Sequence, residues 1–151
     1  GIGIDSSGRV LVADRENSRI QVFSPDGEFL AEWTDVVRPC EVFVDPEDNV
    51  LVAELGHRAG MFPWMKPDLT VSGGRVSIFN DSGSLLARFG GGEKPGTPGD
   101  FFAPHDLWVD ARGDLYVAEV TWSAGGNRGL VSPDCPSLQK LVRVNDQAGV
   151  R

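Results

Sequence analysis

Positive charge is in short supply in this chain: 14 Lys and Arg stand against 22 Asp and Glu, for a net charge of −8. A nucleic-acid backbone or an anionic membrane surface rewards a basic patch, so neither is expected as the main partner. Cysteine is scarcer still. Cys40 and Cys135 make neither a disulfide scaffold nor a zinc cluster, and whether they pair or stay free leaves the compartment open. No apolar run approaches the eighteen or so residues of a membrane-spanning helix. A sustained helical period is also missing. The chain opens Gly1-Ile2-Gly3, with no initiator Met and none of the segments of a signal peptide, so it reads as a trimmed chain or a piece of something longer. Glycine and proline, by contrast, are plentiful at 19 and 10, which implies frequent turns. With 40% apolar and 24% charged residues in 151, the composition is that of one domain able to bury a sizeable core.

The chain repeats itself. Asp5-Ser6-Ser7-Gly8-Arg9-Val10-Leu11-Val12-Ala13-Asp14 superposes without gaps on the segment from Asp45 to Glu54 and on that from Asp110 to Glu119. Each copy is an Asp, a polar turn, an apolar run ending Val-Ala, and a carboxylate. Each also expands into short β-branched or apolar runs. The first copy gives Ile2 to Asp5, Arg9 to Ala13, Arg19 to Phe23 and Glu28 to Trp33; the second gives Glu41 to Val44, Asn49 to Ala53, Arg75 to Phe79 and Ser84 to Phe89. The third gives Asp106 to Val109, Asp114 to Val120 and Leu138 to Val144, with no clear fourth run. Turn chemistry such as Ser24-Pro25-Asp26-Gly27 and Asn80-Asp81-Ser82-Gly83 separates them. Four antiparallel strands per unit of about 40 residues is the pattern of a β-propeller blade. The expectation is all-β: one partial propeller domain over 1–151, with blades at 1–34, 38–90 and an incomplete 103–151. Three blades cannot close a ring of the usual four to eight. Either upstream blades are missing, or two copies pair as a homodimer of six blades.

In such a blade alternate connections share a face. The tight turns fall on one face. Leu55 to Gly74, Thr121 to Ser137 and Gly90 to His105 are the long connections and fall on the other, around the mouth of the channel. Loops on a rigid frame are where function concentrates, and these carry Phe62, Trp64 and Trp122. Substrate-binding candidates are His57, Arg58, Trp64 and Trp122, with solvent-facing loop residues as the bland alternative for His57 and Arg58. Gly90-Gly91-Gly92 is an inter-blade link and not a phosphate loop, because no Lys-Ser/Thr follows it. Asn80-Asp81-Ser82 is a formal glycosylation sequon in a tight turn. Asp14, Glu54 and Glu119 end the second strand of each blade. Facing a channel they could hold calcium, but a repeated acid that caps a turn or pairs with Arg19 is the stronger reading.

The stretch Val12-Ala13-Asp14-Arg15-Glu16-Asn17-Ser18-Arg19-Ile20-Gln21-Val22-Phe23 resembles an NHL repeat, in the version found in peptidyl-α-hydroxyglycine α-amidating lyases and their bacterial relatives. Pro104-His105-Asp106-Leu107 is similar to that family's metal-binding motif. The resemblance implies a six-bladed propeller with zinc held by three His from alternate blades, and often a structural calcium. It also implies an activity that splits an α-hydroxyglycine peptide into peptide amide and glyoxylate. Carried over, His105 is a metal ligand, Asp106 follows it as in the family and Arg15 is the active-site Arg. Zinc would polarise a substrate oxygen, and a fixed guanidinium would hold a carboxylate. The sequence departs from the pattern at Ala103, where the lyases have Met, and the other two His would lie upstream of Gly1. Cys40 falls in register with His105 and is the weaker metal candidate, against a small buried thiol. The competing expectation is a non-catalytic module that binds a protein or peptide on the mouth face. A calcium-dependent, lactonase-like hydrolase would need acidic and Asn ligands that form no convincing set here.

Overall fold

The computed structural model describes residues 1–62 and 73–144, and these form three antiparallel sheets taken in chain order. The first contains β1 (Ile2–Ile4), β2 (Val10–Asp14), β3 (Arg19–Phe23) and β4 (Phe29–Trp33). The second contains β5 (Pro39–Val44), β6 (Val50–Glu54), β7 (Arg75–Phe79) and β8 (Leu85–Gly90). The third has only β9 (Pro104–Val109), β10 (Leu115–Glu119) and β11 (Leu138–Leu141). Within each sheet every strand pairs with its sequence neighbour, giving the all-β, propeller-like arrangement that the repeats imply, and the third sheet has three strands among the described residues. The described residues do not close a ring. Strands β5 and β9 begin earlier than expected, at Pro39 and Pro104, because the first residue of a strand tolerates a missing N–H. A four-residue helix α1 (Thr121–Ala124) is too short for any periodicity to reveal it.

One side-chain oxygen closes each strand-one-to-two turn. Asp5 Oδ1 accepts from the N–H groups of Ser7 (3.0 Å) and Arg9 (2.8 Å). Asp45 Oδ1 does the same for Glu47 and Asn49 (2.9 and 2.8 Å), and Asp110 Oδ1 for Arg112 and Asp114 (2.9 and 3.1 Å). In the β7–β8 turn, Asn80 Oδ1 plays that part for Ser82 and Ser84 (3.1 and 2.8 Å). These side chains mimic a backbone turn, which is why short polar residues recur there. Although burial acts to raise it, donors from Arg112 and Asp114 hold the Asp110 carboxyl down at about 2. The fourth turn residue needs positive φ, which Gly113 supplies at +83°. Asp48 adopts +60° at the equivalent place, and its carboxylate accepts the N–H (2.9 Å) and hydroxyl (2.5 Å) of Ser6 from the neighbouring turn.

Alternate side chains leave a strand on opposite faces, so the core lies between sheets and not within one. Leu11, Ile20 and Val22 of the first sheet pack on Val42, Val50, Val52 and Phe79 of the second. Leu51, Ala53 and Val76 then face Leu107, Leu115 and Val117 of the third, with Phe101 from the connecting link between them. Apolar surface removed from water at these two joints stabilises the fold at about 25 cal/mol per Å². The inner strand β5 touches both β1 and β9. The starts of all three inner strands therefore converge at one end, opposite the tight turns.

Candidate functional site

At that end the repeated acids turn out to be latches. Glu54, fully buried, accepts from the N–H of Val37 (2.5 Å), from Arg75 Nε (2.8 Å) and from the Ser77 hydroxyl. Glu119 accepts from the N–H groups of Phe102 (2.6 Å) and Ala103 (3.1 Å) and from Gln139 Nε2 (3.2 Å). Both therefore hold the link that leads into their own sheet. Burial pushes each carboxyl up from its ordinary value, and these donors oppose it. Asp14 instead pairs with Arg19 (2.8 Å), which holds its carboxyl down. The structural reading of the three acids is the one their contacts support.

The insertions do gather on this same end. Leu55 and Met61 from the first, Phe102 and Ala103 from the inter-sheet link, and Ala124 from the last form a third buried cluster with Cys40, flanked by Phe62 and Val131. Two arginines clamp it. Arg58 Nη2 donates to the carbonyls of Gly92 (2.8 Å) and Phe101 (3.0 Å), and its guanidinium lies 5.7 Å from the Phe102 ring centre. Arg128 Nη2 donates to the carbonyls of Met61 and Ala124. Arg58 thus ties loops together, and burial pulls its pKa down. His57, half-buried, sits beside it at the start of the same insertion. Trp122 stands 61% exposed on α1 with its ring against Gly126, and Leu130 is 40% exposed against Gly60 and Gly125. Trp64 lies outside the described residues.

Nearer the converging strands is a cleft of about 550 Å³, lined by Gly1, Arg15, Glu16, Cys40 and His105 among others. Three residues singled out from sequence thus share one cavity. Arg15 Nε pairs with Glu16 at 2.8 Å, and Glu16 also receives Arg38 Nη2 at 2.8 Å. Sequence reasoning missed Arg38. It is 3% exposed, adopts φ +50° and lies over the Phe62 ring at 4.9 Å, and no spacing rule marks such a residue. Burial pushes the Cys40 thiol up, against the pull of Arg15 and Arg38. Asp106 is exposed on β9 opposite Ala118, outside the cleft lining. Among the described residues no group of three or more His, Cys, Asp or Glu is placed to hold a metal ion. A zinc site takes at least three protein ligands, and His105 and Cys40 are two of the donor side chains that line this cleft. Both cysteines are buried and free.

Residues 1–23 match the family model of the NHL repeat. NHL repeat-containing protein 3 of Mus musculus is 32% identical over 140 residues, covering 86% of this chain and 36% of that protein. The Homo sapiens protein of the same name is 44% identical over 124 residues, covering 79% and 31%. Protein lin-41 of Caenorhabditis elegans is 53% identical over 32 residues, or 21% of this chain and 3% of that protein. The chain thus spans about a third of the length of the NHL repeat-containing relatives it matches. A crystal structure of a protein of unknown function from Bacteroides caccae shares the fold, with a TM-score of 0.66 at 17% identity over 93% of this chain and 44% of that one. No helix among the described residues is long and apolar enough to cross a membrane.

Proposed function

We propose that this chain is part of an NHL-type propeller that binds a protein or peptide on its loop-rich face. The observation that carries this reading is the exposure of Trp122 and Leu130 on the one insertion that Arg128 ties to Met61 and whose Ala124 joins a common buried cluster. A large aromatic on a rigid support loses little entropy on docking and is the kind of residue that dominates binding energy. The net charge of −8 favours a partner that is neutral or basic. Peptides selected from a random library against the whole chain provide the test. Trp122→Ala is expected to weaken their binding by about 2 kcal/mol, or roughly thirtyfold, with the unfolding curve unchanged. Affinities that stay level in Trp122→Ala and Leu130→Ala alike would discard the reading.

A second reading is favoured by the meeting of Arg15, Cys40 and His105 in one cleft. In it the chain belongs to a ring with amidating-lyase activity, Arg15 holds a substrate carboxylate, and His105 is one zinc donor among others supplied from outside the described residues. Zinc, when bound, would supply Lewis-acid polarisation of the substrate oxygen. Calcium in this reading would be structural. Such an assembly, whether a homodimer or a longer chain, should release glyoxylate from an α-hydroxyglycine peptide when given zinc, and His105→Ala should abolish the release. No glyoxylate from a closed, zinc-supplied ring would end this reading.

A further inference from the structure

Two arginines converge on one carboxylate oxygen beside the converging strands. Glu16 Oε1 accepts from Arg15 Nε and from Arg38 Nη2, each at 2.8 Å. The three side chains differ in freedom. Those of Glu16 and Arg15 are 58% and 44% exposed, whereas that of Arg38 is 4% exposed. Arg38 is also pinned through its backbone. Its N–H donates to the Ser18 hydroxyl (3.2 Å), its carbonyl accepts the Leu55 N–H (3.0 Å), and its φ is held at +50°. Backbone strain imposed by the surroundings in this way clusters where proteins hold ligands. The next two residues, Pro39 and Cys40, line the same cleft as Arg15 and Glu16.

Among the described residues the buried Nε and Nη1 of Arg38 have no hydrogen-bond partner. Unpaired buried donors on a cation are costly. A guanidinium takes a carboxylate or phosphate through two parallel N–H groups, either Nη1 with Nη2 or Nε with Nη2. Both forks include Nη2, and Glu16 meets that nitrogen through its Oε1. An anion in the place of Glu16 would fill one whole fork, drawing in a donor that Glu16 leaves unpaired, and would keep Arg15 as its second cation. The Arg38 guanidinium holds the Glu16 carboxyl below its ordinary value, so a negative charge already stands at this spot. From this geometry we infer that Arg38 and Arg15 form an anion-binding site in the cleft, with Glu16 as its internal stand-in. The ligand carries a carboxylate or phosphate group that displaces Glu16 and pairs two-pronged with Arg38. The site goes beyond both functional readings above, since it needs neither Trp122 nor zinc, and Arg38 is its fixed donor.

Calorimetric titration of the whole chain with N-acetylglycine and, separately, with inorganic phosphate tests the inference and tells the two anion sources apart. Saturable binding of at least one of them is expected. Glu16→Gln keeps an oxygen for both arginines at an exposed position but removes the competing charge, so it should tighten binding about tenfold. A Glu16 with only a structural role would leave the affinity where it was. Arg38→Lys retains the charge without a fork and should weaken binding at least tenfold. Trp122→Ala should bind the anion as the original chain does, which keeps this result independent of the loop-rich face. The inference is overturned if neither anion saturates, if Glu16→Gln binds no more tightly, or if a folded Arg38→Lys chain binds as well as the original. Should Arg38→Lys fail to fold, Glu16→Gln decides the matter alone.

Discussion

Glu54→Ala is expected to lower stability by about 3–5 kcal/mol, the range for removing one partner from a buried charge pair. The side chain is fully buried and accepts from three donors: Val37 N–H, Arg75 Nε and the Ser77 hydroxyl. Alanine would leave Arg75 without its counter-charge and the Val37 amide without an acceptor, so the loss exceeds that of one hydrogen bond. Asp14→Ala is the control, because Asp14 holds Arg19 at a partly exposed site and ends no incoming link. Its ion pair belongs to the class worth about 0–1 kcal/mol. Denaturant unfolding at neutral pH would measure both. Equal losses in the two variants would refute the idea that Glu54 latches the link at Val37.

Phe101→Ala is expected to cost about 3–5 kcal/mol, the usual penalty for emptying a buried aromatic site. Phe101 is fully buried at the joint between the second and third sheets, with its ring 6.0 Å from that of Phe89. It also abuts Gly90, where a Cβ would come within 2.7 Å of the Phe101 ring. Little can collapse into the space, since Gly90 has no side chain and its φ of +87° strains any replacement. Hydrogen exchange should show the third sheet opening first in this variant, with the first sheet still protected. A cost near 1 kcal/mol, or uniform loss of protection, would mean that the joint does not rest on Phe101.

The architecture was legible in the sequence because its signals are local. The Asp that opens each tight turn and the Val-Ala-acid that ends each second strand recur at readable spacing, and they account for the sheets and turns observed. The face carrying the insertions followed from strand alternation alone. The cleft was partly legible: Cys40 and His105 fall in one repeat register, and they share its lining with Arg15. Other features depend on long-range contact. Arg128 reaches the carbonyl of Met61, and Arg58 reaches those of Gly92 and Phe101, across spans that no periodicity connects. Arg58, singled out as a substrate-binding candidate, donates to these loop carbonyls. Arg38 was invisible for a related reason, since burying an Arg at positive φ makes sense only once Glu16 and Phe62 are in place.

The latches also bear on ancestry. Glu54 and Glu119 each grip the link that precedes their own sheet, and not the one that follows it. A copying event that cut between a link and its sheet would have parted the acid from the amides it holds. Link and sheet therefore form one structural unit, starting near Asp35 and Asp100 and not at the first strand. Arrays of this kind grow by adding neighbours that contact only neighbours, and a module that carries its own clasp can be inserted or lost without refitting the ones beside it.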